Sequence, residues 1–329
     1  MVKHAPDKLF DYEFASPLLA PTRESHSGVT LVAVDLFSGC GGLSAGLGDA
    51  GFEVAEAYDC WPQALDTYRR NVGSHAIEFD LSDTASAAKR ISQVGVDLIA
   101  GAPPCQDFST AGKRIEGTQA NLTSAFGRIV CECQPVAFLM ENVPQVRTST
   151  TYQMMRSEVT AAGYSLVEMV LDASRFGVPQ LRRRFFAFGF LGNGATGSNF
   201  AEGVKSRETP HRTIVKEFLG DEIDIEYYYR HPRNYSRRAV FSVHEPSPTV
   251  RGVNRPVPPN YAGNHLDSAP PNEVRPLTTR ERSRIQTFPA DWEWGGGDRN
   301  ADTELQIGNA VPVKLASRVG AAIRDAIAP

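Results

Sequence analysis

The sequence predicts an α/β protein: a doubly wound, largely parallel sheet followed by a smaller, loop-rich module. Three observations lead there. From residue 30 to about 190, short apolar runs alternate with amphipathic, helix-like stretches. Each apolar run stops at a glycine, proline or acidic turn. Beyond it the rhythm breaks into a segment rich in Pro, Gly, Asn, Tyr and Arg. A chain of 329 residues has room for one large core and a lesser one.

Taken in order, residues 1–29 are polar, carry Pro6, Pro17 and Pro21, and read as a loosely packed arm. TLVAVDLF (30–37) is a buried strand that runs into the turn SGCGG, and a helix follows over Leu43–Ala50. FEVAEAY (52–58) is the second strand. A helix over Trp61–Asn71 is expected to place Trp61, Leu65 and Tyr68 on one face, with Pro62 in its first turn. HAIEFD (75–80), VDLIAG (96–101) and VAFLMEN (136–142) are further strands, separated by helices over 84–92 and Leu122–Cys133. A helix over 151–162 precedes strands over 164–171 and 184–190. Alternation of this kind implies parallel pairing with right-handed crossovers, and a ligand outside the carboxyl ends of the strands. Thr278–Phe288 is a helix candidate. Val311–Ala328 is an amphipathic helix whose Val313, Ala316, Val319 and Ile323 can return it to the first domain. The expected division is an arm (1–29), a catalytic and cofactor-binding domain (30–190), a recognition region (191–275) and a returning C-terminal segment (276–329).

Composition narrows the function classes. Hydrophobic residues at 41% and charged residues at 22% exclude a disordered chain, a collagen and a coiled coil. No apolar run is long enough for a membrane span, and the first 30 residues lack the apolar stretch of a signal peptide, so a cytoplasmic protein is expected. Five cysteines, an odd number without a CxxC pair, point away from a disulfide framework and from a metal cage. A net charge of −4 argues against a uniformly basic nucleic-acid binder. The distribution overrides that sum: residues 227–255 hold Arg230, Arg233, Arg237, Arg238, Arg251 and Arg255 against one acid, Glu245. Tyr227, Tyr228, Tyr229 and Tyr235 are interleaved with them. Such a stripe suits a DNA face, and equally an ordinary basic surface loop.

Four segments carry chemistry. In DLFSGCGGLSAGL (35–47) glycines let backbone approach a nucleotide-like ligand beside a helix N-terminus, although many α/β proteins use such turns for packing alone. Asp59 and Asp80 end the next two strands, where carboxylates suit ribose hydroxyls or serve as plain turn caps. In GAPPCQDFS (101–109) two prolines stiffen the approach to Cys105, a candidate nucleophile, whereas Cys131 and Cys133 fit an inert helix position. Glu141 of ENVP (141–144) closes a buried strand, so desolvation favours its protonated form, as a general acid requires. The arginines of QLRRR (180–184) suit contacts to an anion or a base edge, or form a solvated charge run.

With QIGNAVP (306–312), the ordered set DLFSGCGG, PPCQ, ENV, QxRxR and GNAVP resembles the DNA (cytosine-5)-methyltransferase family of bacterial restriction-modification systems. EPSPTVRG (245–252) and RPLTTRERSRIQTFP (275–289) agree with it. The resemblance implies a Rossmann-like methyltransferase domain with a small target-recognition domain. It implies S-adenosylmethionine as cofactor, cradled by Phe37, Ser38, Gly39, Cys40, Gly41 and Gly42. Asp59 with Cys60, Asp80 with Leu81, Pro103, and Asn309 with Ala310 complete that set. Asp59 stands where the family usually has glutamate, one methylene longer, so its ribose contact is expected to be shifted or water-mediated. The stretch 118–126 lacks the arginine and bulky pair common in the family.

Further, the resemblance implies that Cys105 attacks carbon 6 of a flipped-out cytosine while Glu141 assists at ring nitrogen 3. Arg184 contacts the carbonyl oxygen, and Arg182 orients the pair. Carbon 5 then takes the methyl group, and loss of its proton and of the cysteine restores the ring. Extrusion of the base costs a few kcal/mol. Gln106, Ser109, Lys113 and Arg114, in a stretch suited to closing over the base, join the six arginines above as DNA contacts. The implied partner is double-stranded DNA, with a cognate restriction endonuclease possible, a monomeric enzyme, and no metal and no membrane. The alternatives are an RNA (tRNA) cytosine-5 methyltransferase of the same fold and a catalytically inactive DNA-binding regulator.

Overall fold

The computed structural model describes residues 10–11, 30–104, 121–192, 194–234, 236–259, 261–295 and 300–328. Cys105, Gln106, Ser109, Lys113, Arg114 and Tyr235 lie outside the described residues. The elements, in chain order, begin β1 (Phe10–Asp11), β2 (Leu31–Leu36), α1 (Gly42–Asp49), β3 (Phe52–Asp59), α2 (Pro62–Asn71), β4 (Ala76–Glu78) and α3 (Thr84–Ile91). They continue with β5 (Leu98–Gly101), α4 (Asn121–Cys133), β6 (Ala137–Asn142), α5 (Thr150–Ala161), β7 (Ser165–Asp172), β8 (Gln180–Leu181) and β9 (Arg183–Phe190). The remainder are α6 (Gly194–Ser206), α7 (Val215–Leu219), β10 (Tyr227–Tyr229), β11 (Val240–Ser242), β12 (Ser247–Pro248), β13 (Arg275–Pro276), α8 (Thr279–Ile285), α9 (Ala301–Asn309) and α10 (Val313–Ile327).

The main sheet has the order β1-β7-β9-β6-β5-β2-β3-β4. Its central strands are apolar on both faces because both faces are covered. Successive residues point to opposite cores: Ala137 and Leu139 of β6 face the layer of α1, α6 and α10, while Phe138 and Met140 face the layer of α3, α4 and α5. α10 returns to this body as its pattern predicts, with Ala316, Val319 and Ile323 in the core against Leu47 of α1. From β4 across to β6 the pairing is parallel.

Parallel pairing does not extend to β9, which lies between β6 and β7 and runs antiparallel to both. The link from β7 to β9 holds only a single 3-10 turn and the two-residue β8, too short for a helical crossover. The arm also departs from expectation in one place, since Phe10–Asp11 adds an antiparallel edge strand to β7.

The rhythm that seems to stop near residue 190 continues for one more helix. α6 packs on α10, and its Phe200, Ala201 and Val204 sit in the main core beside Phe188. Its glycine-rich sequence hides the amphipathic pattern. The smaller module follows, built on a three-stranded sheet, β11-β10-β13, over a core of Val215, Leu219, Tyr228, Val243 and Ile285. Tyr228 and Tyr229 are buried there, whereas Tyr227 is exposed, so two of the tyrosines expected on a DNA face are core residues. β12 pairs with β8 and ties this module to the strand region carrying the arginines. α8 opens with a capping box, Thr278 and Glu281 satisfying each other's backbone N–H groups.

Candidate functional site

The carboxyl ends of β2, β3, β5 and β6 line one cavity of about 330 Å³, the position expected of a ligand site in a doubly wound sheet. The glycine turn after β2 forms one wall. Phe37 and Gly39 take left-handed backbone, with φ of 59° and 53°, and Gly41 caps α1 with φ of 95°. A side chain on Gly41 would meet Val72 and Tyr68, and one on Gly42 would drive into the carbonyl oxygen of Val311. Gly39 is different: nothing lies within 4 Å of where its Cβ would be, so the bare backbone borders open cavity.

Asp59, at the end of β3, accepts hydrogen bonds from the N–H groups of Gly39 and Trp61, both at 2.8 Å. Shorter than glutamate, it braces the glycine turn, and burial raises its pKa despite those bonds. Asp80 is exposed, and a hydrogen bond from Ser82 holds its carboxyl below the usual range. Phe37, Trp61, Phe79 and Leu81 give the same cavity apolar walls. Trp61, expected on the packed face of α2, is instead the residue capping that helix and lines the cavity.

Of the residues assigned to the cofactor from sequence, Phe37, Ser38, Gly39, Cys40, Gly42, Asp59, Cys60, Asp80, Leu81, Pro103, Asn309 and Ala310 line this cavity, and Gly41 shapes the turn behind it. The Cys40 thiol is buried and pushed up to about 12 by desolvation, which leaves it unreactive. An acceptor pair (Asp59, Asp80), a bare glycine edge and aromatic walls suit a ligand with hydroxyl and amino donors on a flat ring, so these residues fit S-adenosylmethionine.

Glu141 and Arg184 reach the same cavity from the next strands. Their side chains form an ion pair at 3.0 Å, with both largely buried. The atoms that meet are the Arg184 Nε and the buried Glu141 Oε1. Burial raises the Glu141 pKa, against the opposing charges of Arg184 and Arg182. Arg184 stands at the start of β9. Because β9 is antiparallel, its start lies at the same edge of the sheet as the end of β6, with Glu141 opposite Phe186.

Arg182 does not line the cavity. It is buried and donates to the carbonyls of Val250, Gly308 and Ala310, tying three distant segments together. Sequence reasoning left Asn142 without a role. Its amide donates to the Pro103 carbonyl at 3.0 Å and its own Oδ1 accepts from Val143, which fixes the end of β5 to the end of β6 just ahead of Cys105. Its place inside the ENVP motif was the available signal.

The arginine stripe divides. Arg233, Arg237 and Arg255 are exposed. Arg238 is taken by Glu245 in a two-pronged ion pair and also donates to Ser268, so it is a structural residue of the small sheet and not an outward contact. Arg230 and Arg251 are partly buried and line a second, smaller cleft. Among the described residues no helix is long and apolar enough to cross a membrane.

The doubly wound sheet has at its carboxyl edge one cavity that holds a glycine turn, two carboxylates and a buried acid–arginine pair, a site suited to a nucleoside-like ligand. Comparison with known proteins makes this specific. The family model for C-5 cytosine-specific DNA methylases matches residues 31–325. The type II methyltransferase M.HgiDI of Herpetosiphon aurantiacus is 48% identical over 284 residues, covering 86% of this chain and 91% of that protein. M.HindV of Haemophilus influenzae is 47% identical over 294 residues, covering 88% and 95%. Among solved structures, the Dnmt2 methyltransferase of S. pombe superposes with a TM-score of 0.65 at 20% identity over 89% of this chain and 98% of that one, a likeness of fold. The chain belongs to the C-5 cytosine-specific DNA methylase family. Its activity is DNA (cytosine-5-)-methyl transfer, with S-adenosylmethionine as the cofactor.

Proposed function

We propose that the pair Glu141–Arg184 receives a cytosine flipped out of duplex DNA, and that Cys105 attacks carbon 6 of its ring. One observation carries this reading: a buried carboxyl, paired to an arginine, lines the cavity that Gly39, Asp59 and Asp80 also line. Burial keeps Glu141 toward its protonated form, so it gives a hydrogen bond to ring nitrogen 3 as the thiolate adds. Arg184 holds the ring's carbonyl oxygen. Asp59 and Asp80 accept from the ribose and adenine donors of the cofactor, and Asn309 and Ala310 close that site from the C-terminal side. Bound S-adenosylmethionine supplies an electrophilic methyl group. Arg182 acts at one remove, holding the segment of Arg184 against the C-terminal motif.

In this reading α6 joins the catalytic body, which spans 30–206 and resumes after α8, while the recognition region with the helix that packs in its core is about 207–285. Arg233, Arg237 and Arg255 are its outward cations. The relatives at 48% and 47% identity are named as type II methyltransferases, which supports a short recognition sequence and a cognate restriction endonuclease; a cytoplasmic location and action as a monomer belong to the same proposal. Their names and the family model favour DNA over tRNA, and the intact Glu141–Arg184 pair disfavours an inactive regulator.

The test is transfer of a labelled methyl group to mixed-sequence unmethylated DNA, followed by base-resolution mapping of 5-methylcytosine. Methylation in one short sequence context is expected, with Cys105→Ser losing transfer while still binding cofactor. Turnover by Cys105→Ser would refute the nucleophile assignment.

A further inference from the structure

We propose that the small cleft between β10 and the segment 247–254 clamps a single backbone phosphate of the bound DNA, next to the flipped nucleotide, with Arg230 and Arg251 as its two jaws. The proposal rests on the reading of the chain as a DNA-modifying enzyme and adds a subsite to it. The cleft is small, about 30 Å³ against about 330 Å³ for the main cavity. Arg230, Arg251 and Arg282 all line it, and no carboxylate does.

The three arginines are unequal. Arg282 is neutralised by a buried ion pair with Glu304 and also donates to the Arg251 carbonyl. Arg230 donates one hydrogen bond to the Thr249 carbonyl at 2.9 Å, and Arg251 donates one to the His231 carbonyl. A guanidinium carries five N–H donors, so most of theirs remain for a ligand. Burial, followed by the charges of Arg251 and Arg233, pushes Arg230 down to about 10, and burial with Arg233 and Arg255 lowers Arg251. Three other arginines near the small sheet are matched by acids: Arg238 by Glu245, Arg275 by Glu281 and Arg284 by Glu222. Half-buried like charges without a carboxylate are costly, and an incoming anion removes the cost. Two forked guanidiniums match the tetrahedral oxygens of phosphate.

The position adds the link to catalysis. Thr249 donates its hydroxyl to the Leu181 carbonyl, and the Val250 carbonyl accepts from Arg182. The wall of the cleft is therefore bonded directly to the residues that precede Arg184. A phosphate held there fixes the strand beside the base pocket without reading sequence.

The experiment measures the salt dependence of binding to a duplex carrying the methylated site, for the wild type and for Arg230→Gln, Arg251→Gln and the double variant. Each neutralised phosphate contributes about 0.9 to the slope of log affinity against log salt. Both jaws on one phosphate predict that the double variant loses about 0.9 of slope while methylating the same mapped sequence. A loss of about 1.8 means two separate contacts, and an unchanged slope means none; either overturns the clamp. Arg230→Lys with Arg251→Lys, which keeps both charges, is expected to restore the slope, and denaturation midpoints together with cofactor binding identify a variant that has merely unfolded. Saturable micromolar binding of inorganic phosphate alone, lost in the double variant, would make this a free-phosphate site and also overturn the assignment. Absence of methyl transfer to DNA by the wild type defeats the underlying reading instead, so the two failures are distinct.

Discussion

Replacing Asp35 by asparagine is expected to change how the stability of this protein depends on pH. Asp35 lies on β2 beneath the glycine turn and is fully buried. Its Oδ2 accepts from the Ser44 hydroxyl at 2.6 Å, Tyr68 donates to the same hydroxyl, and Oδ1 is buried without a partner. Burial, with a smaller contribution from Asp59, raises its pKa from 3.8 to about 7. In the unfolded chain the same group is an ordinary carboxyl. Between pH 3.8 and about 7 the folded protein therefore keeps a proton that the unfolded chain has released. Stability falls as pH rises through that window, by about 1.4 kcal/mol per pH unit, and is flat above it. Asparagine keeps an acceptor for Ser44 and does not titrate. Any packing cost of its amide is the same at every pH, so the readout is the difference between variant and wild type. Denaturant unfolding followed by tryptophan fluorescence at pH 5, 6, 7 and 8 measures it. The difference is expected to move in favour of Asp35→Asn by about 2.5 kcal/mol between pH 5 and 7 and then to level off. A difference that stays constant from pH 5 to 8 would show that Asp35 is ionised throughout and refute the reasoning.

Other expectations concern the site. Glu141→Gln keeps the shape of the pocket but removes the acid, so kcat should drop by about 10²–10⁴ with cofactor affinity retained, which single-turnover methyl transfer and cofactor titration check. Gly42→Ala sets a methyl group against the Val311 carbonyl and should cost about 1–3 kcal/mol of stability together with cofactor affinity. Gly48→Ala, on the exposed side of the same helix with nothing within 4 Å, should instead gain about 0.5–1 kcal/mol, and thermal denaturation of the two side by side tests the contrast.

The sequence by itself determined most of the doubly wound body. Apolar runs such as VAFLMEN have no polar face to offer solvent, so they had to be central strands, and glycine or acidic turns after them had to sit at the strand ends. That logic also located Asp59, which ends β3, Glu141, next to the end of β6, and Asp80, just past β4, because the end of a strand is legible from where its apolar run stops. It did not extend to what depends on partners far along the chain. The antiparallel insertion of β9 comes from strand pairing between β6 and β7, and it alone brings Arg184 to Glu141. α6 was hidden because its packing on Phe188 and α10 outweighs a sequence with glycine at positions 194, 197 and 203.

The arginines show the same limit most sharply. Those of QLRRR and those of the stripe look alike in sequence, yet their fates differ. Arg184 meets an acid in the cavity, Arg182 meets carbonyls from residues 250, 308 and 310, Arg238 meets Glu245, Arg230 meets the Thr249 carbonyl and Arg251 the His231 carbonyl. A guanidinium's role is set by which acceptor lies within about 3 Å of it, and only the tertiary structure decides that distance.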